Sequence, residues 1–254
     1  MKAVILAAGE GIRLQPITAT RPKHLIKVGG KPILEHCLEV LKTSEIDEAL
    51  MVIHYMGDTI RQHFGDGKRF GLEIEYVEQK AVLGTGNALG VVEPYIRDDF
   101  LLVYGDLLFS PEAVKTVINA YKRERPAATM AVVPVEKPES YGIVELEDEK
   151  HVKRIIEKPN REEAPTNLAN AGIFVFSREI FEKVKETAAS ARGEWEITDA
   201  LSLLSKDKTV LAVEIARDDW MDIGRLWDLL EANRWMLMRT SHKACGLIED
   251  GAHL

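Results

Sequence analysis

The sequence predicts an α/β protein: a doubly wound, mostly parallel sheet flanked by helices, followed by a β-rich part. Three observations predict it. A short apolar run, Ala3 to Ala8, has the length of a buried parallel strand and empties straight into Gly9-Glu10-Gly11-Ile12-Arg13. Strand-like and helical stretches then alternate at short intervals as far as Arg123, the pattern of a parallel sheet covered on both faces. From Ala127 onwards strand-like runs predominate.

The chain has 254 residues, 46% of them apolar and 29% charged, a globular composition long enough to bury a substantial core. No apolar run approaches the length of a membrane span and the N-terminus lacks a signal-peptide layout, so no membrane partner and a cytoplasmic location are expected. A net charge of −8 argues against a nucleic-acid partner. Cys37 and Cys245 lie far apart and read as buried or half-buried thiols, not as a disulfide framework.

In chain order, a Pro-fixed bend at Arg21-Pro22 precedes Lys23, and Lys31-Pro32 opens a helix over Ile33 to Leu41. His36 and Cys37 within it read as packing or surface residues. Ala49 to His54 is a strand, Asp58 to Phe64 a short helix and Leu72 to Val77 a strand. Gln79 follows, before a Gly84-Thr85-Gly86 turn into a helix. A doubly wound sheet receives planar ligands at such a place, and an amide can pair with the imide edge of uracil or thymine. Taken alone, the stretch reads as a solvated amide and a glycine turn, and only a resemblance carried by other motifs reverses that balance.

Phe100 to Tyr104 is the strongest strand and ends in Tyr104-Gly105-Asp106, an acid placed to hold Mg²⁺ against phosphates or, as a lone Asp more commonly does, to cap a turn. A helix runs from Pro111 to Arg123 with Ser110 as its cap. Strands are expected over Ala128 to Val135, Gly142 to Glu147, Val152 to Glu157 and Gly172 to Phe176. Arg178 to Thr187 is helical, Glu194 to Leu204 holds a helix capped by Thr198, and Thr209 to Ile215 returns a strand. A last helix spans about Leu226 to Met238, with Asp222 as a candidate cap. In the tail, Ile248 and Leu254 flank a Gly-Ala pair with the rhythm of a left-handed β-helix rung, and roughly three rungs are needed for such an array to stand. The expected organisation is a domain over 1–240, with 241–254 as linker and first rung of a truncated hexapeptide-repeat domain.

The glycine loop lets successive N–H groups face one anion, and Arg13 and Lys23 add cations. It fits neither familiar phosphate loop: Leu14 stands where a dinucleotide fingerprint needs glycine, and Gly-Lys-Ser/Thr is absent. What remains, GEGIRLQPITATRPKHLIKVGGKPILEH, resembles the opening signature of the sugar-1-phosphate nucleotidylyltransferases, the NDP-sugar pyrophosphorylases. LGTGNAL, Gly105-Asp106, Tyr141-Gly142, Glu157-Lys158-Pro159, Asn170-Ala171-Gly172 and Trp220-Met221-Asp222 resemble further motifs of that family, in order, up to about Trp235.

The resemblance implies a Rossmann-like catalytic domain with a smaller sugar-binding part. It implies transfer of a nucleotidyl group from a nucleoside triphosphate, UTP or dTTP favoured, to a sugar 1-phosphate, with release of pyrophosphate. Leu6, Ala8, Gly9, Gly11, Gln79, Gly84 and Thr85 would bind the nucleotide, and Arg13, Lys23, Asp106 and Asp222 would carry the chemistry, with Mg²⁺ between the two aspartates. Tyr104, Gly142, Glu157 and Asn170 would hold the sugar and Lys158 its phosphate. Ile12 departs from the pattern, standing where a small hydroxyl residue is usual. A silent NDP-sugar-binding regulatory subunit, use of GTP or CTP, and a nicotinamide-dependent enzyme are the alternatives. The oligomeric state is open, a homo-oligomer included.

Overall fold

The computed structural model describes residues 1–190 and 192–239. Its strands are β1 (Lys2–Ala7), β2 (Lys27–Val28), β3 (Lys31–Pro32), β4 (Glu48–Ile53), β5 (Glu73–Glu78), β6 (Phe100–Tyr104), β7 (Leu107–Phe109), β8 (Ala128–Pro134), β9 (Gly142–Leu146), β10 (Val152–Glu157), β11 (Leu168–Phe176), β12 (Val210–Glu214) and β13 (Trp220–Asp222). Its α-helices are α1 (Ile33–Thr43), α2 (Gly57–Phe64), α3 (Thr85–Gly90), α4 (Pro111–Glu124), α5 (Ile180–Glu186), α6 (Ile197–Asp207) and α7 (Asp228–Arg239).

A nine-stranded sheet follows the order β10-β9-β11-β6-β1-β4-β5, with β8 joined to β11 and β12 to β8. β1 is central because it is apolar on both sides, and it pairs in parallel with β4 and β6, Ile5 lying opposite both Met51 and Val103. Beyond β6 the sheet turns antiparallel: β11 runs against β6, β8 and β9. The fold is therefore mixed α/β, with a parallel, doubly wound half and an antiparallel half.

Alternation along β1 divides the core. Ala3, Ile5 and Ala7 pack with Leu34 and Leu38 of α1, Phe64 of α2 and Val117 of α4. Val4 and Leu6 face the other way, towards Leu89 of α3, Phe181 of α5 and Leu201 of α6. A third cluster of Leu14, Ile26, Val28, Ile33, Leu108, Ile223 and Ala232 fastens the glycine loop's flank to α7.

Ser110 caps α4 as expected, its Oγ accepting from Ala113 N at 3.1 Å. Thr198 does not cap α6: Glu196 holds the N-cap position, and the Thr198 hydroxyl donates to Glu157 Oε2 at 3.1 Å. Asp222 does not cap α7 either, because it ends β13, and Asp228 Oδ2 instead accepts from the N–H groups of Gly224 and Arg225. The expected helix over Arg178 to Thr187 is shorter, and β11 starts before Gly172. Cys37 is a buried free thiol. Cys245 and the expected β-helix rung lie outside the described residues.

Candidate active site

Two concavities open side by side at the C-terminal ends of β1 and β6. One, of about 500 Å³, is lined by Gly9, Glu10, Gly11, Ile12, Arg13, Lys23, Val82, Asp106 and Gly224. The other, of about 200 Å³, holds Thr85, Tyr104, Gly142, Glu157, Lys158, Asn170 and Asp222 among its walls. Arg13 and Asp106 belong to both, so they mark the junction.

In the larger cavity, the N–H groups of Gly9, Glu10, Gly11, Ile12 and Arg13 find no acceptor among the described residues. A run of unpaired donors around a left-handed residue, Gly11 at φ +67, is a preformed anion cradle. Glycine is required at 11 for a second reason: a Cβ there would sit 3.0 Å from Lys23 Cβ and 3.1 Å from Thr18 Cγ2. Thr18 Oγ1 donates to Gly11 O at 2.9 Å and fixes the loop from below.

At the junction, Lys23 Nζ lies 2.6 Å from Asp106 Oδ2, and Lys23 is 5% exposed. Burial pushes the Asp106 carboxyl up, but Lys23 and then His24 outweigh it and hold it below its ordinary value. His24 itself is pushed down to about 4 by burial, so Lys23 is the cation here. The antiparallel pairing of β13 with β7 sets Asp222 opposite Leu107, immediately beside Asp106. Burial raises the Asp222 carboxyl, and the Asp106 charge adds to the rise against the pull of Lys23 and Arg13. A Cβ on Gly224 would stand 3.2 Å from Arg13 Nη2 and 3.3 Å from Asp222 Oδ2, so the guanidinium and carboxylate close on the same point. The Asp222 carboxylate accepts no hydrogen bond from the described residues.

These donors fit a hard divalent cation: carboxylate oxygens, one of them without a hydrogen bond and destabilised as an anion. Among the described residues no group of three or more His, Cys, Asp or Glu could complete a cage, so remaining ligands would have to come from substrate and water.

The smaller cavity is polar and acidic. Arg192 Nη2 pairs with Glu196 and lies 3.4 Å from Glu157 and 4.0 Å from Glu194. Lys158 Nζ is 3.5 Å from Glu157 Oε1. Burial raises the Tyr104 phenol far above its ordinary value, Glu157 adding to the rise, so Tyr104 is a neutral hydroxyl in this wall. Asn170 Oδ1 accepts from Gly172 N at 2.9 Å, shaping the bend of β11. Trp220 Nε1 donates to Ala171 O at 2.8 Å and ties β13 to that bend.

The structure thus gathers Gly9, Gly11, Arg13, Lys23, Thr85, Tyr104, Asp106, Gly142, Glu157, Lys158, Asn170 and Asp222 around one junction. Leu6, Ala8, Gln79 and Gly84 do not line either cavity. Gln79 is 2% exposed, its Nε2 donating to Asn87 Oδ1 at 2.8 Å and Gly84 O at 3.2 Å. Gly84 and Gly86 serve a close approach: a Cβ on Gly84 would come 2.4 Å from Trp195 O, and Gly86 N donates to that same oxygen. Sequence reading missed Arg192, Glu194 and Glu196, although the polar, charged run before α6 was visible.

A family model described as nucleotidyl transferase matches residues 2–238. The chain belongs to the nucleotidyl transferase family. It is 36% identical over 250 residues to the bifunctional protein GlmU of Methanocaldococcus jannaschii, covering 98% of this chain and 58% of that one. Identity to the low-salt glycan biosynthesis nucleotidyltransferase Agl11 of Haloferax volcanii is 37%, over 99% of this chain and 70% of the relative. The glucose-1-phosphate thymidylyltransferase of Streptomyces griseus is 34% identical, over 100% of this chain and 71% of its own. The chain therefore spans little more than half of GlmU. Its fold matches a UDP-glucose pyrophosphorylase solved with UDP-glucose at a TM-score of 0.85 and 26% identity, covering 94% of this chain and 99% of that one.

Proposed function

We propose that this nucleotidyl transferase family member is a sugar-1-phosphate nucleotidylyltransferase, joining UTP or dTTP to a sugar 1-phosphate to give an NDP-sugar and pyrophosphate. The observation that carries the reading is the junction: an anion cradle and an acidic, hydroxyl-lined pocket meet at Arg13, Lys23, Asp106 and Asp222. A sugar-phosphate oxygen attacks the α-phosphorus, and the bond to the β-phosphate breaks as pyrophosphate leaves. With a second pKa near ~6, the attacking phosphate is largely ionised at neutral pH and no side chain need take a proton from it.

Each group then has an electrostatic or positioning task. The cradle N–H groups and Arg13 hold the β- and γ-phosphates and stabilise the leaving pyrophosphate. Lys23, fixed by Asp106, sits beside the α-phosphate. Lys158 takes the sugar phosphate, while Glu157, Asn170 and the Gly142 main chain orient the sugar. Asp106 and Asp222 would hold Mg²⁺, which when bound supplies charge neutralisation at the phosphates. The preference for a uracil or thymine base rests on the family resemblance, because Gln79 is buried against its own turn and lines neither cavity.

The test is a panel of sugar 1-phosphates crossed with UTP, dTTP, CTP and GTP, following NDP-sugar chromatographically. NDP-sugar from at least one pair, strictly requiring both substrates, supports the reading. Binding of NDP-sugar without turnover on any pair would leave the regulatory-subunit alternative.

A further inference from the structure

Ile12 is 65% exposed, and Val82 and Leu83 are 43% and 37% exposed. Single exposed apolar side chains are ordinary, but two that line one ligand-binding mouth are a pair that a closing site can bury. Ile12 and Val82 stand on separate loops that line the same cavity of about 500 Å³, the one containing the anion cradle. The Val82 loop is unpinned at its crest, whereas Ile12 opens a short 3-10 turn in which its carbonyl accepts from Gln15 N at 3.1 Å. The Ile12 N–H is unpaired, and the main-chain groups of Lys80, Ala81 and Val82 make no hydrogen bond with the described residues. Both loops are pinned at their bases: Thr18 holds Gly11 O, Trp195 N donates to Leu83 O at 2.8 Å, and Gln79 N donates to Ile53 O at 2.9 Å.

We propose that Ile12 and Val82 close on each other over the bound triphosphate and exclude water from the α-phosphate. This rests on the nucleotidyl-transfer reading above. Binding the phosphates draws the free N–H groups of the Ile12 loop inward, and the unpinned crest at Val82 follows to bury both side chains. The chemistry needs such a seal because water competes with the sugar phosphate. If a water oxygen attacks the α-phosphorus, the bond to the β-phosphate breaks as before, and the products are nucleoside monophosphate and pyrophosphate with loss of a proton. The side chains of Ile12 and Val82 thus act as positioning groups that decide which nucleophile succeeds, separate from the Ile12 main-chain N–H that belongs to the cradle.

The experiment measures nucleoside monophosphate against NDP-sugar, since both reactions release pyrophosphate. Wild type, Ile12→Ser, Val82→Ser, the double serine variant and the apolar pair Ile12→Leu/Val82→Ile are compared, each with its melting temperature. The double serine variant should raise the hydrolysis-to-transfer ratio about tenfold, the scale of one lost apolar contact at ~1.4 kcal/mol per decade, with an unaltered melting temperature. The apolar pair should keep the wild-type ratio. A ratio unchanged in the serine variants, or hydrolysis and transfer falling together, overturns the closure while leaving nucleotidyl transfer standing. No NDP-sugar from wild type with any substrate pair overturns nucleotidyl transfer itself, and the closure with it.

Discussion

Replacing Lys23 with Met should damage both the catalytic junction and the fold, and the size of the second effect follows from burial. Methionine keeps the aliphatic stem that packs against Gly11, so the cradle is spared and only the charge is lost. Removing one partner of a fully buried ion pair costs ~3–5 kcal/mol. Here the Lys23 side chain is 7% exposed but that of Asp106 is 33% exposed, so water can take over part of the carboxylate's solvation and a loss of about 2 kcal/mol is expected. For a chain of this size that corresponds to a fall in melting temperature of about 4–8 °C. The assay is a double-mutant cycle of Lys23→Met, Asp106→Asn and their combination by urea unfolding, in chelator so that no cation replaces the lysine. The double variant should be less destabilised than the sum of the singles by about 1 kcal/mol or more. Because Lys23 holds Asp106 below the ordinary 3.8, the pair's contribution is present above that pH and fades as acidification passes through the lowered value. Additive single effects, or a Lys23→Met penalty that persists undiminished in strong acid, would refute the pairing as a source of stability.

Three further outcomes are expected. Arg13→Ala should lower turnover on the order of 10²–10³ at saturating substrate, the effect of removing one preorganised donor from a reacting oxyanion, and rates near wild type would take Arg13 out of the chemistry. Asp222→Asn should lose any Mg²⁺-dependent rise in melting temperature, yet without metal at neutral pH be no less stable than wild type. The sign follows from its raised carboxyl: ionisation costs folded-state stability as pH climbs through the elevated value, and asparagine removes that cost, so the two proteins should converge in acid. Gly84→Ala, with φ +101 and a Cβ placed 2.4 Å from Trp195 O, should destabilise by about 2–3 kcal/mol and weaken substrate binding by loosening the Thr85–Glu196 contact, as unfolding and KM measurements would show.

Much of this site was legible because its chemistry is written in local motifs at the ends of strong strands. After Lys2, β1 is an uninterrupted apolar run, as is β6, and two such buried strands put the loops carrying Arg13 and Asp106 at the same sheet end. Asp222 was legible as a residue but not as a geometry: it reaches Asp106 through the three-residue strands β7 and β13, too short to show a period. The Gly-Thr-Gly turn opens α3 as expected, but a second role of its glycines was not legible. Its glycines admit the Trp195 main chain, more than a hundred positions downstream, and no local pattern announces such a contact. For the same reason Thr198 looked like a cap and proved to hold Glu157, and the Arg192–Glu196 pair emerged only when α6 packed beside β10. Even the sheet's antiparallel half depends on a register shift in β11 between Asn170 and Phe174, where Gly172 has φ +69 and no room for a side chain.

The most direct test follows the α-phosphate itself. With nucleoside triphosphate labelled at that position and a sugar 1-phosphate acceptor, the label should appear in NDP-sugar, and Asp106→Asn/Asp222→Asn should reduce that transfer by a factor on the order of 10³. Label transfer at the wild-type rate in the double variant, or delivery of the γ-phosphate to the sugar instead, would contradict a reaction centred between the two aspartates.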